Sequence, residues 1–487
     1  MMQPLKILFL SAEVAPFAKT GGLADVCGSL PKSLKALGHD VRVVLPAYKP
    51  IQDALENGKW DIRAHPLTLQ VPVARLRVPA GVLESTLPGS DVPIYFIADW
   101  HRFGSRDGVY GYLDDPFRFA FFSRAALDLA VAAMEWRPDV VHAHDWHAAP
   151  AVTWLATAGQ SDSRYANMPT VYTIHNLQHH GEAPWGILDY LELITHGLNE
   201  EKFGQVDFMA RGIFHATMIN TVSPTYSREI RTYEGGSGLD NLLRFRDFDV
   251  HGILNGIDYD IWNPMTDKRL PVNYNVKTLD ERIANKRALQ ARAGLPQRDD
   301  VPLVAMVTRL AWQKGLDISG EVFHRLMNNW AGEAQCVILG AGDPRYEDML
   351  RHLAGYHNQK MTAFIGFDAD LAHLIYGGSD MFLMPSLFEP CGLGQMIAMR
   401  YGSVPVVRST GGLADTVDHG TTGFEFGYYS SDSFWDGLAE ALYVYNADPQ
   451  RWKAIQRNGM EKDYSWDSSA KSYEQLYQWA ISRVRGW

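Results

Sequence analysis

The sequence predicts an α/β protein made of two doubly wound domains. Short runs of apolar and β-branched residues alternate with helix-like stretches, and this alternation occurs twice along the 487 residues. Most of the runs are apolar at every position, as expected for parallel strands that are buried on both faces of a sheet. Across residues 257–302 the strand pattern lapses and polar residues accumulate, which separates the two series.

The strand pattern sets the expected domain limits. The first series predicts strands at residues 7–10, 41–45, 93–97, 140–143, 170–174 and 218–222. The second series predicts strands at residues 303–307, 336–339, 362–365, 381–384 and 404–407. We therefore expect one domain over residues 1–258 and a second over residues 259–465.

Residues 466–487 have the pattern of an amphipathic helix. Apolar and aromatic residues recur at steps of three and four, at Trp466, Ala470, Tyr473, Tyr477 and Ala480. Such a helix must bury its apolar face, but its spacing leaves open which domain it covers.

The composition of the chain indicates which classes of partner and which compartment to expect. Charged residues make up 21% of the chain, the net charge is −11, and no basic run stands out, so a nucleic-acid partner is not expected. A chain with a net negative charge is expected to bind a neutral polymer more readily than an anionic polymer, which it would repel. Cys27, Cys336 and Cys391 lie far apart and match no zinc spacing, which favours a reducing compartment.

No membrane or export segment is expected. The apolar run at residues 7–10 is too short for a signal peptide and is followed at once by Glu13. The longest helical apolar stretch, at residues 125–134, is interrupted by Asp128 and is too short to cross a bilayer. We expect a cytoplasmic protein without a membrane partner.

The first candidate site is Lys19-Thr-Gly-Gly-Leu-Ala-Asp25, between the first strand and a helix. Paired glycines let a ligand approach the backbone, and the amides at a helix start favour an anion. Lys19 adds a mobile positive charge. A plain glycine turn beside a solvated lysine explains the segment equally well. The motif recurs as Thr410-Gly-Gly-Leu-Ala-Asp415, and we interpret it as one local solution used twice.

The second candidate site is His142-Ala-His-Asp-Trp-His147, directly after a predicted strand. Residues that follow the carboxyl end of a parallel strand face the ligand crevice. We favour a sugar-binding edge in which Asp145 accepts from hydroxyls and Trp146 stacks. Histidines with a structural role are the alternative, and a metal site is disfavoured because the spacing of the histidines is poor for one.

Two weaker signals complete the first domain. His175-Asn176 follows the strand predicted at residues 170–174, where a histidine serves packing as often as function. Leu254-Asn-Gly-Ile-Asp258 has the pattern of a turn with a left-handed glycine.

In the second domain, cations follow the strand predicted at residues 303–307. Arg309 and Lys314 suit a diphosphate, whose charge increases as it leaves. A solvated basic loop is the alternative. Gly340-Ala-Gly-Asp343 offers a turn at the end of the next strand.

The segment 386–395 places Glu389 on a strand-to-helix turn with Pro390 and glycines. A carboxylate there can hold sugar hydroxyls while the helix start faces phosphate groups. Cys391 could be a nucleophile at such a helix start, but no general base is evident beside it.

Taken together and in order, these segments resemble the bacterial glycogen synthase and plant starch synthase family. Further matching segments are Val222-Ser-Pro-Thr-Tyr226, Gln313-Lys-Gly315, Tyr464-Ser-Trp466 and Ala470-Lys-Ser-Tyr473. The resemblance covers nearly the whole chain. It implies the GT-B fold, in which two Rossmann-like domains face each other across a cleft and the last helix crosses back to the first domain.

The resemblance also implies an activity: transfer of glucose from a nucleotide sugar to the non-reducing end of an α-1,4-glucan such as glycogen or a maltooligosaccharide, with retention of configuration. ADP-glucose is the usual donor of the family, although these residues leave UDP-glucose open. No cofactor and no metal are implied. Retention would proceed by front-face attack without a covalent intermediate, because no side chain is an obvious nucleophile.

Site residues follow from the same resemblance. The implied catalytic residues are Asp145, His175, Arg309, Lys314 and Glu389. The implied donor-binding residues are Lys19, Gly21, Gly22, Asn255, Gly342, Phe367, Cys391, Gly392, Leu393, Thr410 and Gly411. The implied acceptor-side residues are Tyr110, Trp146 and His147. His175 would act through its backbone carbonyl, and Phe367 would stack on the base.

The sequence departs from the family at a few positions. Gly394 stands where the family usually has threonine, His179-His180 replace a usual Tyr-Gln, and Phe367 replaces a frequent tyrosine. Ile397 occupies the place of the second glutamate of the wider GT-B pattern, a glutamate that synthases of this family also lack. Two alternatives remain: a GT-B transferase for another donor or acceptor, and a silent glucan-binding protein on the same fold.

Overall fold

The computed structural model describes residues 3–193 and 204–486. The chain divides into two compact units. Unit 1 comprises Met1–Gly256 and Trp466–Trp487, and unit 2 comprises Ile257–Ser465.

Unit 1 is built on a sheet of nine strands with the order β11-β10-β7-β6-β1-β2-β5-β4-β3 in its described part. Strands from β11 to β5 are parallel, and β3 and β4 extend the sheet as an antiparallel hairpin. A short pair, β8 with β9, lies apart from this sheet. The strands are β1 (Lys6–Leu10), β2 (Asp40–Pro46), β3 (Arg63–Val73), β4 (Leu76–Thr86), β5 (Pro93–Ala98), β6 (Val140–His144), β7 (Thr170–Ile174), β8 (Glu182–Pro184), β9 (Gln205–Asp207), β10 (Met218–Thr221) and β11 (Val250–Gly252).

Helices connect the parallel strands of unit 1. They are α1 (Gly22–Ala36), α2 (Lys49–Asn57), α3 (Asp115–Leu127), α4 (Asp145–Ala156), α5 (Gly186–Tyr190), α6 (Phe208–His215), α7 (Pro224–Glu229) and α8 (Asp240–Phe245). Nearly every residue of α4 is buried, because it lies between the sheet and its neighbours α3 and α6.

Unit 2 has a six-stranded parallel sheet with the order β14-β13-β12-β15-β16-β17. The strands are β12 (Leu303–Val307), β13 (Gln335–Gly340), β14 (Met361–Ile365), β15 (Met381–Met384), β16 (Val404–Arg408) and β17 (Phe424–Phe426). The helices are α9 (Ile283–Arg292), α10 (Leu316–Met327), α11 (Pro344–Tyr356), α12 (Ala369–Gly378), α13 (Gly394–Arg400), α14 (Gly411–Thr416), α15 (Ser431–Ala447) and α16 (Pro449–Glu461).

The last helix, α17 (Trp466–Arg485), packs on unit 1 against α1 and the strands β6, β7 and β10. Its buried face includes Tyr473 and Tyr477, whose hydroxyl groups bond to Asn220 and His142. The helix therefore supplies polar contacts to the underside of the unit 1 sheet as well as apolar packing.

The strand pattern overlooked the hairpin of β3 and β4. Both strands have exposed residues over much of their length, so neither is a continuous apolar run. Among the described residues, no helix is long and apolar enough to cross a membrane.

Candidate functional site

Each unit gathers its candidate residues where the strand order reverses. In unit 1 this reversal lies between β1 and β6, and in unit 2 it lies between β12 and β15. Loops diverge from the carboxyl ends of the strands at such a point, which leaves a crevice for a ligand.

In unit 1, the glycine loop after β1 is held by Glu13, which sequence reasoning missed as a site residue. The buried Glu13 carboxylate accepts hydrogen bonds from the backbone amides of Thr20 and Gly21 at 2.6 and 3.0 Å. It also accepts from the hydroxyl groups of Thr20 and Tyr110 at 2.5 and 2.8 Å. The Gly21 amide, expected to meet an anion, therefore already has an internal acceptor. The available signal was an acidic residue directly after the first strand.

Lys19, Gly21 and Gly22 are accessible on one side of the glycine loop. The Lys19 ammonium lies 2.6 Å from Asp25 while half of its side chain stays exposed. No atom lies within 4 Å of a Cβ placed on Gly21 or Gly22. In the second copy of the motif, a Cβ on Gly411, which has a φ of 46°, would collide with the Glu389 carbonyl. The two copies thus differ: one pair of glycines leaves room, and the other permits close packing.

Asp145 starts α4 with an unusual backbone. Its φ is 54°, a left-handed conformation that is uncommon outside glycine, and its side chain is 9% exposed. Its Oδ1 accepts from the backbone amide of His175 at 2.7 Å, and the Asn176 amide also bonds to it. Burial raises the pKa of Asp145 to about 7 despite these hydrogen bonds. The Asp145 carboxylate, which was predicted to accept hydrogen bonds from sugar hydroxyls, thus already accepts them from the backbone amides of His175 and Asn176.

The two histidines of β6 lie in different environments. His142 is buried, and its two ring nitrogens lie 2.8 Å from the Tyr477 hydroxyl and 2.7 Å from the Thr173 hydroxyl. His144 is also buried, and its Nδ1 lies 3.0 Å from Nε2 of the partly exposed His175. The structural interpretation therefore holds for His142, whereas His144 contacts a candidate catalytic residue.

The predicted acceptor-side residues of unit 1 lie together. The Tyr110 ring stacks on His147 at 4.7 Å, and His147 stacks on Trp146 at 4.0 Å. Trp146 lines a cavity of about 680 Å³ together with Gln178, His179, His180, Gly181, Glu182 and Ser237. The unusual pair His179-His180 thus lies on the wall of this cavity.

His180 is fixed on the cavity wall by an ion pair. Its Nδ1 lies 2.6 Å from Asp207, and this hydrogen bond raises the pKa of His180.

Asn255, further along unit 1, is buried, and its Oδ1 has no hydrogen-bond partner among the described residues. A buried oxygen of this kind calls for a donor, which a ligand or a water molecule can supply.

In unit 2, the loops after β12 and β15 bring Lys314 and Glu389 together. The ammonium of Lys314 lies 2.6 Å from Oε2 of the buried Glu389, which also accepts from the Ser386 hydroxyl at 2.9 Å. Arg309 is exposed, and its guanidinium lies 3.3 Å from Oε1 of Gln313. Two cations and one held carboxylate thus occur at the switch point.

The remaining predicted residues of unit 2 follow neighbouring strands. Gly342 comes after β13, and its amide donates to Glu347 at 3.1 Å. Phe367 comes after β14 and is 93% exposed, so one ring face can receive a flat ligand. Gly392 and Leu393 precede α13, while Thr410 occupies the N-cap position of α14 without a capping hydrogen bond from its side chain. Cys391 is buried at 4% exposure, which argues against a role as a nucleophile.

Packing explains the departure at Gly394. A Cβ at this position would lie 3.1 Å from the Phe382 ring, 3.2 Å from the Met384 sulfur and 3.4 Å from the Tyr376 hydroxyl. These side chains would have to shift by a few tenths of an ångström to admit a Cβ, so the position is tight for threonine.

Two family models match the chain. The starch synthase catalytic domain matches residues 6–245, and glycosyl transferases group 1 matches residues 289–458. A glycogen synthase of Moorella thermoacetica is 44% identical over 100% of this chain and 99% of its own length. This chain belongs to the glycogen synthase family. A glycogen synthase of Desulforudis audaxviator is also 44% identical, over 99% of this chain and 98% of its own length.

A solved structure extends the family comparison to the fold. The catalytic domain of starch synthase IV from Arabidopsis thaliana, bound to ADP and acarbose, matches with a TM-score of 0.89 and 34% identity. The match covers 99% of this chain and 100% of that one. The predicted GT-B fold, with two Rossmann-like domains, is confirmed, and so are the predicted glycogen synthase family and the prediction of a glycosyltransferase enzyme.

Proposed function

We propose that this chain is a glycogen synthase, which moves α-D-glucose from ADP-glucose to the non-reducing end of an α-1,4-glucan with retention of configuration. The observation that carries the proposal is the group of Arg309, Lys314 and Glu389 at the switch point of unit 2, in a chain that matches glycogen synthases over its full length.

Unit 2 has the chemistry for a nucleotide sugar. Arg309 and Lys314 provide positive charge for a diphosphate, and charge stabilisation of this kind is a large term in group transfer. Lys314 is already bonded to Glu389, so the carboxylate is fixed and able to accept from glucosyl hydroxyls through its other oxygen. Phe367 offers an exposed ring for the base, and Gly342, Gly392, Leu393, Thr410 and Gly411 supply the surrounding backbone.

Unit 1 has the chemistry for the acceptor and the reacting centre. Asp145 accepts from the backbone amides of His175 and Asn176, and the Asn176 amide shares a peptide group with the His175 carbonyl. This carbonyl would face the positive charge that develops at the anomeric carbon. Lys19, beside the open glycines Gly21 and Gly22, would add a further cation for the diphosphate. Tyr110, Trp146 and His147 form an aromatic group that could stack on a sugar ring. The buried Oδ1 of Asn255 could accept a hydrogen bond from a sugar hydroxyl.

The proposed transfer needs no protein nucleophile. The bond between the anomeric carbon and the diphosphate oxygen breaks, and the 4-hydroxyl oxygen of the acceptor bonds to the same face of that carbon. The proton of the hydroxyl group passes to the departing diphosphate, so ADP leaves with the bonding pair. We propose that no cofactor or metal takes part.

The choice of ADP-glucose and of a glucan acceptor is supported by the Arabidopsis starch synthase, which was solved with ADP and acarbose. A cytoplasmic location is supported by the three cysteines, none of which forms a disulfide.

The test is release of nucleoside diphosphate from ADP-glucose and from UDP-glucose, each with and without a maltooligosaccharide primer. Primer-dependent release of ADP, together with a longer oligosaccharide product, is the expected result. Preferential release of UDP would overturn only the donor. A folded protein that releases neither would overturn the proposal and favour a silent glucan-binding protein.

A matched pair of variants links the activity to the site. Arg309→Ala should lower turnover by about 100-fold because it removes charge stabilisation of the leaving group. Arg298→Ala removes an exposed arginine that pairs with Asp300 elsewhere in unit 2, and it should leave turnover unchanged. Equal effects of the two substitutions would contradict the assignment of Arg309.

A further inference from the structure

A cluster of imidazole rings adjoins His175 in unit 1. His142 and His144 are two residues apart on β6 and therefore lie on the same face of the sheet. Their ring centroids are 4.1 Å apart, and Phe9 of β1 lies 4.7 Å from His142 and 5.3 Å from His144. The His144 ring is thus held between aromatic neighbours, with its Nδ1 turned to His175.

All of these rings are neutral at physiological pH. Burial, reinforced by the neighbouring imidazoles, holds the pKa of His142 and of His144 well below the usual range. Burial also lowers the pKa of His175 to about 3. A neutral imidazole has one N–H and one lone pair, so in the bond between Nδ1 of His144 and Nε2 of His175 only one ring donates.

The other nitrogen of His144 decides which ring donates. His144 Nε2 is fully buried and has no hydrogen-bond partner among the described residues. If His175 donated, the proton of His144 would have to lie on Nε2, as a buried N–H without an acceptor. If His144 donates, the unsatisfied atom is only a lone pair, and buried orphan donors are the rarer of the two.

We propose that His144 is a positioning residue that sets the tautomer of His175. His144 donates its Nδ1 proton to Nε2 of His175, so His175 keeps its own proton on Nδ1. The ring nitrogen that His175 does not use for this bond is then a hydrogen-bond donor toward a ligand oxygen and not an acceptor. The next residue in the chain, Asp145, holds the backbone amide of the same histidine, so one strand end fixes both its main chain and its ring.

The last helix stabilises this arrangement. Tyr477 and Thr173 hold both nitrogens of His142, which prevents that ring from turning and keeps its face against His144. The consequence for turnover rests on the proposed function, whereas the tautomer itself is a property of the protein without substrate.

The direct test is a long-range nitrogen–proton correlation spectrum of the full chain labelled with ¹⁵N in histidine. The His175 signals are assigned by their loss in His175→Gln. The expected spectrum shows an unprotonated Nε2 and a protonated Nδ1 for His175. A protonated Nε2, or a mixture of both tautomers, would overturn the proposal whether or not the protein transfers glucose.

The kinetic test separates positioning from packing. His144→Asn keeps an N–H donor near the place of Nδ1 but loses the ring, and His144→Phe keeps a ring but loses the donor. Positioning predicts that the phenylalanine variant loses about 10- to 100-fold in kcat and that the asparagine variant recovers most of this loss. A packing role predicts the reverse order, and that order would overturn the proposal. If the wild-type chain transfers no glucose, the proposed function fails, and the spectrum still decides the tautomer.

Discussion

Replacing Asp145 with asparagine tests whether ionisation of the buried Asp145 carboxyl lowers the free energy of unfolding. Asparagine keeps an oxygen that can accept from the His175 amide, and it tolerates the left-handed backbone at this position. The substitution therefore removes the titration of the carboxyl and leaves one acceptor oxygen for the two backbone amides, of His175 and Asn176, that bond to the carboxylate.

The structure gives the size and the sign of the effect. The pKa of Asp145 is about 7 in the folded chain, against about 3.9 when unfolded, and each unit corresponds to about 1.4 kcal/mol. Below about pH 4 both states are protonated and the group has no effect. Between about pH 4 and pH 7 the folded state retains a proton that the unfolded state has released, so the contribution of Asp145 falls as pH rises. Above about pH 7 the ionised carboxylate costs the folded state about 4 kcal/mol.

Asp145→Asn should therefore be more stable than the wild type, and its advantage should grow from near zero at about pH 4 to about 4 kcal/mol at about pH 8. The measurement is the free energy of urea unfolding of unit 1 across this range. A stability difference that does not change with pH would refute the reasoning.

Asp267→Asn provides a control of opposite sign. Burial raises the pKa of Asp267, but hydrogen bonds from His373 and Tyr401 outweigh burial and hold it below its usual value. The wild-type carboxylate thus stabilises unit 2 above the pKa of the unfolded chain, and this contribution is lost as pH falls. The asparagine variant should be less stable at neutral pH and should approach the wild type in acid.

The remaining predictions concern unit 2 and the repeated glycine motif. Glu389→Gln should lower glucosyl transfer by about 100-fold while circular dichroism shows an intact fold, because the carboxylate that orients the sugar is lost; normal turnover would contradict its role. Gly394→Thr should destabilise unit 2 by about 1–3 kcal/mol, because the added side chain overpacks against the neighbouring aromatic rings. The control is Gly355→Ala, which should not lower the unfolding temperature, because a Cβ at Gly355 meets no atom within 4 Å. Gly21→Ala should leave the unfolding temperature nearly unchanged, and Gly411→Ala should lower it clearly; a similar response of both would show that the two copies of the motif are used alike.

The parallel strands were predictable because burial on both faces leaves continuous apolar runs. β1, β7 and β12 lie within one residue of their predicted ends. The hairpin β3–β4 escaped because each strand has exposed residues over part of its length, so hydrophobic segments are interrupted by polar residues.

The site was predictable residue by residue but not as a set of contacts. Lys314 and Glu389 are 75 positions apart, and only the switch point of the sheet brings the ammonium and the carboxylate to 2.6 Å. The role of Glu13 escaped for the same reason, since its partner Tyr110 is 97 positions away. Hydrogen-bond partners likewise distinguish His142 from His144, although both are buried histidines of one strand.

The position of α17 affects how the chain folds during synthesis. Its tyrosines bond to His142 and Asn220 inside unit 1, yet the ribosome makes them after all of unit 2. The nascent unit 1 must therefore leave its buried polar groups open to water until the final helix emerges. Unit 2, whose residues are continuous in the chain, can complete its own core first. Unit 1 can thus be completed only after all of unit 2 has been made, and a ribosome that stalls before residue 466 holds an unfinished first unit.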